Sequence, residues 1–476
     1  MAEEFDFVVI GAGIGGLTAA NELKGSGKLL LTDKLFRPGG TSYSFKRGDY
    51  EFLTGPLGFS HPDFVNSWLN HNGFGELNFA RKDYHILAGD IDLNISGPLE
   101  EVEKELKRLF PNENVHQAII ELKNIIGKVR GAFVHEGGIF NALKNEPVKE
   151  DLSPYLYPAR EYFSKFLENE ELLNLLSGMS LKRSDDSTIA SAYMWDVLTE
   201  TGIWYPQDGF KSLVRRLYEP LKHNSSLLTR VEEISVDGDL YRLTTSKNTY
   251  LAKNVISNAD ANVTAQLLSH ELQRDFDRLL KGKEEGGSVF TVYLGVERSR
   301  IDTSRIRASH TLYYPYLDHR NSMDDNRFYR TEVEVSFISD YDEFAPQGSA
   351  AIMLRAPFRY EDCKFYSKEK YYDFKKKVSE ELLEIVEPLI PSISKAKIMD
   401  ASTPLTYETW GGRYRGSVPG WDWTDEISRC MVKTPLNNFY LCGIYSFSIP
   451  FLGAFPTSLY SGSLAARYIK EGDPLH

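Results

Sequence analysis

Phe5-Asp6-Phe7-Val8-Val9-Ile10-Gly11-Ala12-Gly13-Ile14-Gly15-Gly16 is the stretch that decides the fold. Its first six residues form a short β-branched and aromatic run that stops at Gly11. Leu17 to Lys24 follows with helix-forming residues that put Ala19, Ala20 and Leu23 on one side. The reading is strand, glycine turn, helix. A second apolar run, Lys28-Leu29-Leu30-Leu31-Thr32, ends at Asp33 and completes a βαβ unit. The turn satisfies G-x-G-x-x-G. Gly11 permits the tight turn, Gly13 lets backbone approach a pyrophosphate, and Gly16 allows close helix–strand packing, while the helix N-terminus offers free N–H groups to an anion. Asp33 stands twenty positions beyond Gly13, where an acid accepts the hydroxyls of a ribose. Such an acid disfavours a 2′-phosphate and so NADP, and it leaves FAD and NAD both open.

Around this unit lie 476 residues, 42% hydrophobic and 26% charged, the composition of a soluble globular protein with ample apolar side chains to bury. Basic residues number 55 and acidic residues 67, for a formal charge of −12. The densest basic cluster, Lys375-Lys376-Lys377, follows Lys364, Lys368 and Lys370 in an amphipathic segment and reads as a solvated helix face, so no nucleic-acid partner is expected. Cys363, Cys430 and Cys442 are too few and too scattered for a disulfide framework or a C-x-x-C site, which suits a reducing compartment. An acidic N-terminus lacks the basic region of a signal peptide, and the expected location is cytoplasmic. No H-E-x-x-H, G-x-S-x-G or paired Cys/His spacing occurs, and no metal is expected. Phe439 to Ala466 carries no charged residue and is long enough to span a bilayer, yet Pro450, Pro456 and its glycines favour a buried soluble segment.

Further along, residues 34–60 are rich in Gly and Pro and read as a long functional loop. From Pro98 the pattern turns helical, with Leu99, Val102, Leu106 and Leu109 near a period of 3.6, then Ala118, Ile119, Leu122, Ile125 and Ile126, and more helix around 160–176. A helix over 210–221 and a hairpin through Val231–Val236 and Leu240–Thr245 follow. Alternating runs at 288–296, 332–338 and 350–355 predict a β-rich segment, 370–390 an amphipathic helix, 439–442 a strand, and 457–469 a closing helix.

Several motifs resemble one family. Asp33-Lys34 with Arg37-Pro38-Gly39-Gly40-Thr41-Ser42 resembles the E-K-x-x-x-P-G-G motif of FAD-dependent amine oxidase and phytoene desaturase-like flavoproteins, and the Thr41-Ser42 pair resembles its carotenoid isomerase and retinol saturase branch. Tyr50-Glu51-Phe52-Leu53-Thr54-Gly55-Pro56 is similar to the family's F-D-x-G-P. Trp204-Tyr205-Pro206-Gln207-Asp208-Gly209-Phe210 is similar to its Y-P-x-G-G, and Val255-Ile256-Ser257-Asn258-Ala259-Asp260 to its V-x-S-N-A-D. Thr403-Pro404-Leu405-Thr406-Tyr407-Glu408-Thr409-Trp410 resembles the T-P-x-T-x-E stretch of phytoene desaturases. Leu441-Cys442-Gly443 and Pro456 through Ala466 resemble the closing L-x-G strand and the final helix. Four positions depart from the pattern: Leu53 for Asp, Asp208 for Gly, Ile444 after L-x-G, and a bulkier, more apolar loop at 449–456 that points away from the usual carotenoid substrate.

The resemblance implies an α/β fold: a Rossmann-type FAD-binding domain, a discontinuous β-sheet substrate domain and a helical insertion. The FAD-binding parts are expected at 1–77, 205–286 and 425–476, the substrate parts at 78–98 and 287–424, and the insertion at 99–204. FAD is the implied cofactor. Its implied contacts are Gly11, Ala12, Gly13, Ile14, Gly15, Gly16, Asp33, Lys34, Gly39, Gly40, Thr41, Ser42, Gly55, Pro56, Val231, Asn258, Gly443, Phe455, Pro456 and Thr457. The final helix would aim its N-terminus at the flavin, where it stabilises negative charge on the reduced ring. The implied activity is oxidoreduction at C–C or C=C bonds of an apolar polyene, isoprenoid or lipid-like substrate by hydride transfer to or from flavin N5. Glu408 and Arg413 are the polar candidates near the reacting carbon. Trp195, Trp204, Tyr205, Tyr407, Trp410, Phe447, Phe451 and Phe455 are the aromatic candidates for lining a tunnel. An amine oxidase and a flavin-free prenyl-binding protein of the same fold are the alternatives. Transient membrane-surface contact through an apolar rim of the insertion is also expected.

Overall fold

The computed structural model describes residues 2–133, 153–178, 187–315, 332–340, 343–363, 367–422, 430–447 and 453–471. Two seven-stranded sheets organise it. The first runs in the order Val231–Asp237, Leu240–Thr245, Thr249–Ser257, Glu3–Ile10, Leu29–Thr32, Ser225–Ser226, with Phe439–Leu441 also paired to Thr249–Ser257. Its central pairs are parallel, matching Val8 with Val255 and with Leu30. Parallel strands are covered on both faces, which is why Val8, Val9, Leu29, Leu31, Val255 and Ile256 are all buried and the runs read as continuously apolar.

The second sheet runs Lys397–Ser402, Ser288–Glu297, Ser349–Phe358, Val333–Phe337, His310–Tyr314, Tyr84–Ala88, Ile91–Ile95 and is antiparallel except where Tyr84–Ala88 meets His310–Tyr314. Its strands come from segments of the chain separated by the first sheet and the helical region. One face is apolar and packs Val292, Leu294, Val335 and Leu354 against Val378, Leu382 and Val386 of the helix Lys368–Val386. Its far edge, through Tyr84, Ile86, Leu93 and Leu312, packs on the helices Leu99–Leu109 and Val115–Phe133.

Two expectations change. Within 34–60 the chain forms a hairpin, Ser44–Arg47 with Tyr50–Leu53, around Gly48 at φ +58°. Phe45 and Phe52 on it pack against Tyr293 of the second sheet, with ring centres 5.0 and 5.3 Å away, so tertiary contact stabilises strands that the Gly-rich composition obscured. The closing helix is Ala454–Glu471 and begins three residues before the expected start. Pro456 is tolerated there because the first turn of a helix has no use for its missing N–H.

Among the described residues no helix is long and apolar enough to cross a membrane. The large exposed hydrophobic side chains among them are Phe36, Leu228, Val236, Tyr372 and Trp410, none of which lies within 99–204, while residues 134–152 and 179–186 of the insertion lie outside the described residues.

The helices Ile14–Leu23 and Ala454–Glu471 approach closely because Gly462 lies against the backbone of Gly15, where an added Cβ would come to 2.1 Å from the carbonyl oxygen. Gly462→Ala should therefore lower stability by about 1–3 kcal/mol, the usual cost of overpacking. Thermal or urea unfolding of the purified variant checks this, and an unchanged midpoint would refute the close-contact account.

Candidate active site

The site grows from the glycine turn. Ile10 ends its strand, Gly11 turns the chain at φ +94° and donates its N–H to Thr32 O at 2.7 Å, and the helix starts at Ile14 with Gly13 as its N-cap. A Cβ on Gly13 would stand 2.6 Å from Asn258 Nδ2, and one on Gly16 would stand 1.9 Å from Gly11 O. Asn258 reaches the turn because its N–H bonds Ile10 O at 2.8 Å at the end of the neighbouring strand. The paired glycines lie against the same turn: Gly39 N–H donates to Ala12 O at 2.7 Å, and a Cβ on Gly40 would meet Gly13 Cα.

Asp33 is buried. Its Oδ2 accepts the Ala12 N–H and its Oδ1 the Leu35 N–H, both at 2.7 Å. Burial raises its pKa above the ordinary value, against the opposing pull of those two donors and of Lys34 and Arg37. Burial also lowers the pKa of Lys34, whose Nζ donates to Thr409 O at 3.3 Å.

One cavity of about 800 Å³ extends from this turn, near the upper end of the ~300–1,000 Å³ typical of ligand pockets. Gly11, Gly13, Ile14, Asp33, Lys34, Gly39, Gly40, Thr41, Ser42, Gly55, Pro56, Val231, Asn258, Gly443 and Phe455 all line it. Ala12, Gly15, Gly16, Pro456 and Thr457 do not. Ala12 and Gly16 hold the turn from behind, and Gly15 abuts the Gly443 backbone, where a Cβ would come 2.8 Å from the nitrogen. At the start of the closing helix the wall is Gly453, Ala454, Phe455 and Ser458. Gly443 N–H is taken by Ser461 Oγ at 2.8 Å.

Glu408 and Arg413 line the cavity beside Lys34. Glu408 accepts a hydrogen bond from Tyr360 OH at 2.8 Å. Arg413 donates to Asp260 Oδ1 at 3.2 Å, and the Tyr414 N–H bonds the other oxygen of that carboxylate at 2.9 Å. Of the aromatic candidates, Tyr407 and Phe455 line the cavity. Trp195, Tyr205 and Phe447 are core residues, Trp204 lies off the lining, Trp410 is 64% exposed, and Phe451 falls outside the described residues. The apolar end is built instead from Phe59, stacked on Phe455 with centres 4.7 Å apart, and from Tyr193, Met194, Val197, Leu198, Ile203 and Tyr84.

Sequence reasoning missed the wall given by the second sheet, where Thr291, Tyr293, Glu334, Met353 and Arg355 face the cavity. A signal was present: Glu334 and Arg355 are charges set within otherwise apolar strands, Val333–Phe337 and Ser349–Phe358. Burial would raise the Glu334 pKa, but the Arg355 guanidinium beside it outweighs burial and brings it down to about 2.

A family model, flavin containing amine oxidoreductase, matches residues 14–470. The chain belongs to this family. Among curated members, all-trans-retinol 13,14-reductase of Danio rerio is 23% identical over 97% of this chain and 86% of its own length. Prolycopene isomerase of Daucus carota is 23% identical over 93% and 76%. Cyclohexylamine oxidase of Brevibacterium oxydans IH-35A shares the fold at a TM-score of 0.64 and 12% identity, over 98% of this chain and 99% of that one. Like the family, this chain is an FAD-dependent oxidoreductase. The residues present fit the cofactor: the turn and the Gly39–Gly40 loop form a cradle that a Cβ on Gly13 would fill, with Asp33 at one end and an apolar chamber at the other.

Asp33→Ala should weaken FAD retention by about tenfold or more, the effect of losing a hydrogen bond to a charged group. The flavin-to-protein absorbance ratio after dialysis measures it, and full occupancy would count against a cofactor role for Asp33.

Proposed function

We propose that this oxidoreductase acts on C–C or C=C bonds of an apolar polyene, isoprenoid or lipid-like substrate. The observation that carries the reading is the continuity of the cavity, which runs from the glycine turn and Asp33 to a chamber walled by Phe59, Tyr84, Tyr193, Val197, Leu198 and Phe455. Residues that cradle a dinucleotide and residues that shelter an apolar chain share one space. The names of the curated relatives, a retinol reductase and a prolycopene isomerase, agree with it.

When bound, the flavin supplies a site at N5 that accepts or gives up hydride. The protein's own work is holding, shielding and orienting. Gly11, Gly13, Asp33, Gly39 and Gly40 would hold the dinucleotide, and the half-buried Lys34 and Arg413 stand beside it as cations. Phe59 and Phe455 exclude water from the chamber, which keeps a hydride-transfer step free of competing solvent chemistry. Glu408 and Arg413, each engaged by a protein partner, act in this reading by shaping the polar end of the cavity.

A second reading, oxidation of the C–N bond of an amine, draws on the fold shared with cyclohexylamine oxidase. Anaerobic mixing of yellow holoenzyme with a polyene panel and, separately, with an amine panel tests both. Bleaching of oxidised flavin, or reoxidation of pre-reduced flavin, by polyenes is the expected result. Bleaching by amines, with hydrogen peroxide formed in air, would replace the reading with the second one. A colourless protein that binds prenyl chains and takes up no FAD would overturn both.

A further inference from the structure

The wall that the second sheet gives to the cavity carries charge that a hydrocarbon does not need. In the strand register Arg355 lies directly opposite Glu334 on one side and opposite Thr291 on the other. Arg355 donates Nε–H to Glu334 Oε2 at 2.9 Å, gives an Nη2 hydrogen to the same oxygen, and gives an Nη1 hydrogen to Gly55 O at 3.3 Å. A guanidinium has five N–H groups. Two of those on Arg355 therefore have no partner among the described residues, although the side chain is only 17% exposed and lines the cavity. Beside them Thr291 Oγ1 and Tyr407 OH share a hydrogen bond of 2.6 Å.

Stability does not account for this row. Apolar residues of similar volume are commonly as stabilising as a buried ion pair, or more so, because the charges give up their hydration. The opposite face of the same strands carries Phe290, Val292, Leu294, Val335, Ile352 and Leu354. The charge balance narrows what the row fits. Glu334 offsets Arg355, and His310, stacked on Tyr84 with ring centres 4.8 Å apart, is kept neutral by burial. A carboxylate ligand would have to share the guanidinium with Glu334 against like-charge repulsion. A hydroxyl or carbonyl oxygen would accept the free N–H groups without that cost.

We propose that Arg355, oriented by Glu334, is a subsite for a neutral oxygen function, a hydroxyl or carbonyl, on the polyene or isoprenoid substrate. The inference rests on the polyene reading above and sharpens it: the substrate is amphipathic, and its oxygen is bound beside Gly55.

The test is equilibrium binding to FAD-loaded protein, followed by flavin and tryptophan fluorescence, with retinol, retinal, retinoic acid and the matching hydrocarbon, deoxyretinol. Retinol and retinal should bind about tenfold tighter than the hydrocarbon, the worth of a hydrogen bond to a charged donor, and tighter than the acid. The double variant Arg355→Met/Glu334→Met removes both charges together, so neither charge is left unpaired. It should bring the alcohol-to-hydrocarbon ratio to about one while FAD content and melting temperature are retained, the outcome if this hydrogen bond is the source of the preference. If that variant does not retain FAD, the wild-type ranking decides the matter. Equal binding of hydrocarbon and alcohol by the wild type would overturn the subsite and leave the polyene reading standing, as would a preference that survives in a folded, FAD-loaded double variant. Failure of all four ligands to bind would remove the polyene reading itself.

Discussion

Backbone lying directly on backbone at a few glycines is the constraint on which the rest of this structure depends. Gly16 packs on the carbonyl of Gly11, Gly15 on the backbone of Gly443, and Gly462 on the carbonyl of Gly15. A Cβ at any of them would come within 3 Å of a main-chain atom. These contacts bring the first and last helices side by side, although nearly the whole chain separates them, and they set the loop after Phe439–Leu441 against the first turn. The cavity floor exists because the two ends meet there. Its wall at Phe455 and Ser458 belongs to the last helix, and its turn at Gly11 and Gly13 to the first strand.

The second sheet does a different job with each face. Residues alternate along a strand, so Val333 and Val335 go to the core under the helix Lys368–Val386 while Glu334 faces the cavity. The same alternation sends Leu354 inward and Met353 and Arg355 to the cavity. Two of the contacts that join the sheet to the cofactor side stand out among the described residues. The Arg355 guanidinium bonds Gly55 O, and the hairpin carrying Phe45 and Phe52 packs on Tyr293.

A fold of this kind hosts more than one chemistry, so the fold by itself does not choose between a C–N and a C–C bond. The choice lies in the chamber, where Phe59, Tyr193, Leu198 and Phe455 give an apolar lining and the row from Thr291 to Glu334 gives the polar exception.

The sequence by itself determined the dinucleotide turn, its acid and the order of motifs along the chain. Each of these is a local rule: a β run, glycines at fixed spacing, an acid at the end of the next strand. The main helices and the strands near 288–296, 332–338, 350–355 and 439–442 were legible for the same reason, since helical periodicity and apolar β runs are written in neighbouring residues, whereas Tyr84–Ala88, Ile91–Ile95, His310–Tyr314 and Lys397–Ser402 were not read. The hairpin inside 34–60 was not, because Phe45 and Phe52 are stabilised by Tyr293, more than two hundred residues away. Nor was the true cavity lining. Trp195 and Phe447 are as aromatic as Phe59 and Tyr193, and only packing decides which of them faces space and which faces core. Glu334 and Arg355 were visible as charges in apolar strands, but their meaning depends on register. Two strands from different parts of the chain had to be paired before the carboxylate and the guanidinium stood opposite one another on the face that looks into the cavity.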